Sequence, residues 1–148
     1  MSGHSAGGQL GAMMLSIDWS KKYGLPRDFI QGACLMSGVF DVRPIVRSYI
    51  NEPLHLTPDE AYQFSPINPP NLSETIRLSS HRTIINVYGG NDPPIFQQMT
   101  KDFTKKLAEG GVDATYKEIP KMDHFELVLR LTDEEYSLTK ILLHLMAL

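Results

Sequence analysis

The chain has 148 residues, 14 basic and 17 acidic side chains and a net charge of −3; 42% of it is apolar. These proportions suit one globular domain, and no Lys/Arg cluster offers a nucleic-acid or anionic-membrane surface. The single cysteine, Cys34, cannot close an internal disulfide, and its apolar neighbours predict a buried thiol in a reducing compartment.

Gly3-His4-Ser5-Ala6-Gly7, almost at the N-terminus, matches G-x-S-x-G, the sharp strand-to-helix turn that presents a nucleophilic serine. Such a turn strains the serine backbone, and small residues two positions to either side relieve the crowding. The N–H of Ala6, next after Ser5, would donate to an oxyanion. Leu10, Met13, Met14 and Ile17 recur at helical spacing, with Gly24-Leu25-Pro26 as the stop. "FIQGACLMSGVF" (29–40) is a short apolar run that suits a strand buried on both faces. Thr57, Pro58 and Glu60 form a capping-box start for a helix. "SPINPPNLSETIRLSSH", rich in Pro and Ser, reads as a long surface loop.

"TIINVYGG" (83–90) is the next strand. Pro93 and Pro94 open a helix carrying Phe96, Met99, Phe103 and Leu107, which Gly110-Gly111 ends. "ATYKEI" makes a further strand, and Thr132 with Glu135 caps a last helix through "SLTKILLHLM". Strands alternating with helices predict an α/β fold: a parallel sheet of about three strands flanked by helices. No strand pattern precedes the turn at Ser5. Residues 1–148 are therefore expected to be a partial α/β-hydrolase domain, the C-terminal part of that fold, with its N-terminal strands missing.

A serine nucleophile needs a base, and the base needs an orienting acid. In α/β-hydrolases the chain order is Ser, acid, His. Asp92 leaves the "TIINVYGG" strand through Gly89-Gly90-Asn91 and fits the acid; its competing reading is a helix N-cap. His124, just after "ATYKEI", fits the base. His4 is expected to point away from the nucleophile. His55 and His81 precede the acid, and His144 sits among leucines on the last helix. Asp123 and Glu126 lie too close to His124 to orient it, and Asp113 is a distant second choice. With no H-E-x-x-H and no paired cysteines, no metal is expected; the glycine pairs make no phosphate loop. No apolar run approaches the ~20 residues of a membrane span, and no signal segment is visible, so a cytoplasmic location is expected.

"GHSAGGQLGAMML", "LMSGVFDVRPIV", "LTPDEAYQFSP", "YGGNDPPIF" and "MDHFELVLRLT" together resemble the kynurenine formamidase (arylformamidase) family. The resemblance implies Ser5 as nucleophile, Asp92 as acid and His124 as base, with Ala6 at the oxyanion. It implies hydrolysis of a small molecule, N-formyl-L-kynurenine, to kynurenine and formate in tryptophan breakdown, without a cofactor. It also implies a cytosolic protein, nuclear as well in some members, and often a homodimer. Phe40, Tyr49 and Phe96 are candidates to meet the substrate ring, although aromatics at such positions more often fill the core.

Members of the family carry an H-G-G-type oxyanion segment ahead of the elbow, and none is present here. Losing one oxyanion donor lowers turnover by ~10²–10³. With Met1 and Ser2 alone to hold the turn, the expectation is a weakly stable chain with little formamidase activity and an open edge on its first strand. A carboxylesterase of the same superfamily and a non-catalytic fragment remain as alternatives.

Overall fold

The structure, a computed structural model, describes residues 1–146. Its layers follow from side-chain alternation on the two central strands. β1 (Ser2–His4) precedes them; β2 (Gly32–Met36) then turns Ala33 and Leu35 to one face and Cys34 and Met36 to the other. β3 (Thr83–Gly89) likewise divides Ile84 from Val87. Both faces are apolar, so both need cover. On the first lie α1 (Ala6–Leu15), α2 (Trp19–Tyr23) and, later in the chain, α5 (Pro69–Leu78) and α6 (Pro94–Glu109), around Leu15, Leu35, Phe40, Ile84, Phe103 and Leu107. On the second, α7 (Glu126–Leu129) and α8 (Ser137–Leu145) enclose Cys34, Met36, Val87, Leu127 and Leu138. Between β2 and α5 the chain makes two short helices, α3 (Asn51–Leu54) and α4 (Pro58–Gln63). β4 (Asp113–Ile119) completes a four-stranded parallel sheet in the order β1-β2-β3-β4.

That sheet has one strand more than the sequence predicts, and the extra one matters. Ser2, Gly3 and His4 pair in parallel with Cys34, Leu35 and Met36. The Met1 ammonium donates to the Gly32 carbonyl at 2.8 Å, and Cys34 N–H donates to the Met1 carbonyl at 3.0 Å. A strand this short has no pattern of its own; its partner makes it a strand. The turn at Ser5 is therefore anchored, and the edge of β2 that the sequence leaves open is covered.

Other elements move for local reasons. The first predicted helix divides in two, because the Asp18 side chain accepts from Lys21 N–H and starts α2; Gly24, at φ 69°, ends that second helix. The predicted strand 29–40 is regular only over Gly32–Met36, since Ser37 adopts φ 44° and breaks the ladder. The supposed loop after Phe64 contains α5, capped by Asn68 accepting from Asn71 N–H, with prolines in its first turn. α8 starts at Ser137 rather than after Thr132: Tyr136 is buried and donates its hydroxyl to the Leu127 carbonyl, pinning the helix start there. The Thr57–Glu60 capping box forms as predicted, with both reciprocal bonds present.

Cys34 is buried on β2, and burial pushes its thiol up to about 12. Among the described residues no helix is long and apolar enough to cross a membrane.

Candidate active site

Ser5 stands between β1 and α1 with φ 56° and ψ −118°, a conformation that costs a non-glycine residue ~1–3 kcal/mol. The surroundings hold it there. Its N–H donates to the Met36 carbonyl at 2.9 Å, its carbonyl accepts from Gln9 N–H at 3.1 Å, and two glycines let the backbones close in. A Cβ on Gly3 would lie 2.2 Å from the Gly7 carbonyl oxygen, and one on Gly8 would lie 2.9 Å from Gly38 Cα. Gly7 differs: a methyl there meets nothing within 4 Å. The small-residue demand inferred symmetrically around Ser5 thus falls on Gly3 and Gly8, not on Gly7. Gly3→Ala is expected to destabilise the chain by ~1–3 kcal/mol through overpacking against backbone. Gly7→Ala is expected to be neutral or stabilising by up to ~1 kcal/mol, because it adds an alanine to an exposed helix turn. Thermal unfolding of both variants checks this; equal midpoints would remove the close approach at Gly3.

The C-terminal ends of the strands bring in the other groups. His124 follows β4, and its Nε2 lies 3.0 Å from Ser5 Oγ. Its Nδ1 lies 2.8 Å from Asp92 Oδ1 in the loop after β3. Asp92 has a fully buried side chain, and its second oxygen accepts from Ser37 Oγ at 2.5 Å and from Gly89 N–H at 2.9 Å. It does not cap α6, whose N-cap is Pro93 with no side-chain bond. Ser5, His124 and Asp92 are brought together, as the sequence expects. The N–H of Ala6 opens α1 beside Ser5 and has no intrahelical acceptor, so it is free for a developing oxyanion.

Several supporting groups are not foreseen. Ser37 holds the acid from the end of β2, and no sequence motif announces it. Asp123 Oδ1 accepts from the N–H groups of Phe125 and Glu126, while Glu126 Oε2 accepts from Asp123 N–H, so the two carboxylates rejected as acids bracket the His124 loop. Their D-x-x-E spacing was the available signal. His4 adds a contact that the sequence does not announce: its ring lies 4.5 Å from that of His124, centroid to centroid. Phe96 also packs on His124 at 4.5 Å, whereas Phe40 stacks on Phe103 in the core and Tyr49 is exposed. His55, His81 and His144 are exposed and outside the cluster. Asp113 accepts from Thr83 Oγ1 at the opposite end of the sheet. Among the described residues no three His, Cys, Asp or Glu side chains gather to hold a metal.

Beside Ala6 lies an apolar groove of about 400 Å³ between α1 and the segment that follows β2. Leu10, Val39, Val42, Ile45, Leu56 and Phe64 contribute to its walls. Gln9 ties the two sides by donating to the Phe64 carbonyl at 2.7 Å.

A parallel sheet wrapped by helices, with a serine on a strained elbow after one strand and an Asp and a His in the loops after later ones, defines an α/β-hydrolase fold. The comparisons with known proteins agree. The chain is 39% identical to a kynurenine formamidase of Salmo salar over 99% of its length and 49% of that protein's, and 38% identical to one of Danio rerio over 97% and 47%. A crystal structure from Silicibacter sp. TM1040, described as a thioesterase, shares the fold with a TM-score of 0.71 at 24% identity, over 95% of this chain and 48% of that one. No protein-family model matches. The chain spans about half the length of the curated relatives it matches.

Proposed function

We propose that this chain carries the catalytic serine, acid and base of an enzyme hydrolysing N-formyl aryl amides, with N-formyl-L-kynurenine of tryptophan breakdown as substrate. The observation that carries this reading is the continuous hydrogen-bonded line from Ser5 Oγ through the His124 ring to Asp92. Similarity to kynurenine formamidases along nearly the whole chain supports the choice of acyl group.

His124 Nε2 takes the hydroxyl proton as Ser5 Oγ attacks the formyl carbon, and Asp92 holds Nδ1–H and stabilises the imidazolium that forms. Negative charge gathers on the formyl oxygen, toward which the Ala6 N–H donates at the positive end of α1. Collapse breaks the C–N bond, and the imidazolium gives its proton to the departing aryl amine. Water, deprotonated by His124, then attacks the formyl ester on Ser5; formate leaves and the serine regains its proton. The apolar groove beside Ala6 suits the aromatic leaving group, while formyl needs almost no acyl space. The same uncharged walls would also accept a simple aryl ester, which keeps a carboxylesterase as the second reading.

Turnover of N-formyl-L-kynurenine compared with p-nitrophenyl acetate tests the proposal. Higher kcat/KM on the formamide is expected; hydrolysis of the ester alone would shift the assignment to an esterase. Leu10→Trp adds bulk to the groove at a position that is 59% exposed, so the core is untouched. It is expected to raise KM for the aryl formamide by ~10-fold or more while leaving kcat near the parent value. An unchanged KM would mean that the ring binds elsewhere.

A further inference from the structure

His4 takes no part in the proton transfers above, yet its ring rests on that of the base. The two centroids are 4.5 Å apart with a tilt of 46°. Phe96 approaches the same imidazole at 4.5 Å and 41°, and Phe125 meets it edge-on at 5.6 Å. The two hydrogen bonds of His124 fix where its nitrogens point, but they resist tilting out of the ring plane only weakly, because hydrogen-bond energy is flat near linearity. Packed rings resist that tilt directly.

The choice of imidazole at position 4 needs its own reason. His4 Nε2 is buried without a hydrogen-bond partner among the described residues, a cost that a phenyl ring would avoid, while a hydrogen bond between the His4 ring and the His124 backbone favours the imidazole. Resting on the proposed hydrolytic role of Ser5 and His124, we infer that His4 is a positioning residue: its neutral ring holds the plane of His124 and faces the imidazolium formed during reaction. Burial, and next the neighbouring His124, hold the pKa of His4 below the usual histidine value, so the ring is uncharged at neutral pH. The ionisable groups that face it are His124 and Asp92; β2, paired with β1, sets Met36 opposite His4. As pH falls, protonating His4 places a like charge against the base. The acid limb of the reaction is then steeper than a single proton explains.

The test uses the whole chain with ¹⁵N-labelled histidines, together with the pH-dependent rate at which a fluorophosphonate labels Ser5. The parent and His4→Phe are expected to show a single Nδ1–H tautomer for His124, whereas His4→Ala shows mixed or broadened signals. Labelling of His4→Phe should stay within about threefold of the parent, with an acid limb of one proton, and that of His4→Ala should fall about tenfold to a hundredfold. An unchanged His124 spectrum in His4→Ala would overturn the inference, and so would a His4→Phe variant that keeps the steep acid limb. If His4→Ala does not fold, the His4→Phe profile alone decides. A parent chain that leaves Ser5 unlabelled would count against the hydrolase reading, while the ¹⁵N spectrum would still judge the ring packing.

Discussion

Replacing Ser5 by Ala, His124 by Ala, or both together is expected to lower hydrolysis of N-formyl-L-kynurenine by one and the same factor, on the order of 10⁶. Nucleophile and base work as a unit: without the imidazole the hydroxyl keeps its proton, and without the hydroxyl the imidazole has nothing to activate. Their 3.0 Å separation makes the transfer direct, with no intervening water. Steady-state rates of the two single variants and the double variant give the coupling. Losses that add in the double variant would mean that the two residues act independently, and the proposed mechanism would fail. The unfolding midpoint is expected to move little in Ser5→Ala but to fall in His124→Ala, because the His124 ring packs on His4 and Phe96 and pairs with the fully buried Asp92 carboxylate.

Asp92→Asn is expected to cost ~10⁴ in kcat through the tautomer of His124 rather than through lost structure. The geometry dictates how the new amide must sit. Gly89 N–H is a donor that cannot turn away, and it points at Oδ2, so the asparagine oxygen takes that place. The amide nitrogen then faces His124 Nδ1, which must become an acceptor. The ring proton moves to Nε2, and the base can no longer take a proton from Ser5. Ser37 keeps its partner throughout, because its hydroxyl can still donate to the amide oxygen. Rates near neutral pH, with circular dichroism as the check on folding, measure the effect. A variant retaining more than about a tenth of the parent rate would show that Asp92 does not set the tautomer.

Residues whose chemistry is local were readable from the sequence; those defined by a partner were not. The elbow glycines, the Thr57–Glu60 box and the apolar runs of β3 and α6 each state their conformation within a few residues. β1 cannot, because Ser2, Gly3 and His4 become a strand only against Cys34, Leu35 and Met36. α5 was hidden by a composition of Pro, Ser and Asn that is loop-like on average, although Asn68-Pro69-Pro70 is itself a helix-start signal. Its Leu72 and Ile76, one turn apart, pack on the core. At the site, Ser5, Asp92 and His124 are visible because superfamily chain order ranks the candidates. Ser37 and His4 are not: one reaches Asp92 across 55 positions, and the other reaches a ring that follows the last strand. Contacts of that range leave no periodic trace.

The 119 positions between Ser5 and His124 have a kinetic consequence. Bringing chain segments that far apart together carries a closure entropy of about 4 kcal/mol, recovered only after the intervening sheet has assembled. The elbow belongs to the first strand in the chain and the imidazole follows the last, so their meeting is a late event in refolding. Helical circular dichroism should therefore recover before reactivity toward an organophosphorus probe, making that reactivity an assay for completed topology.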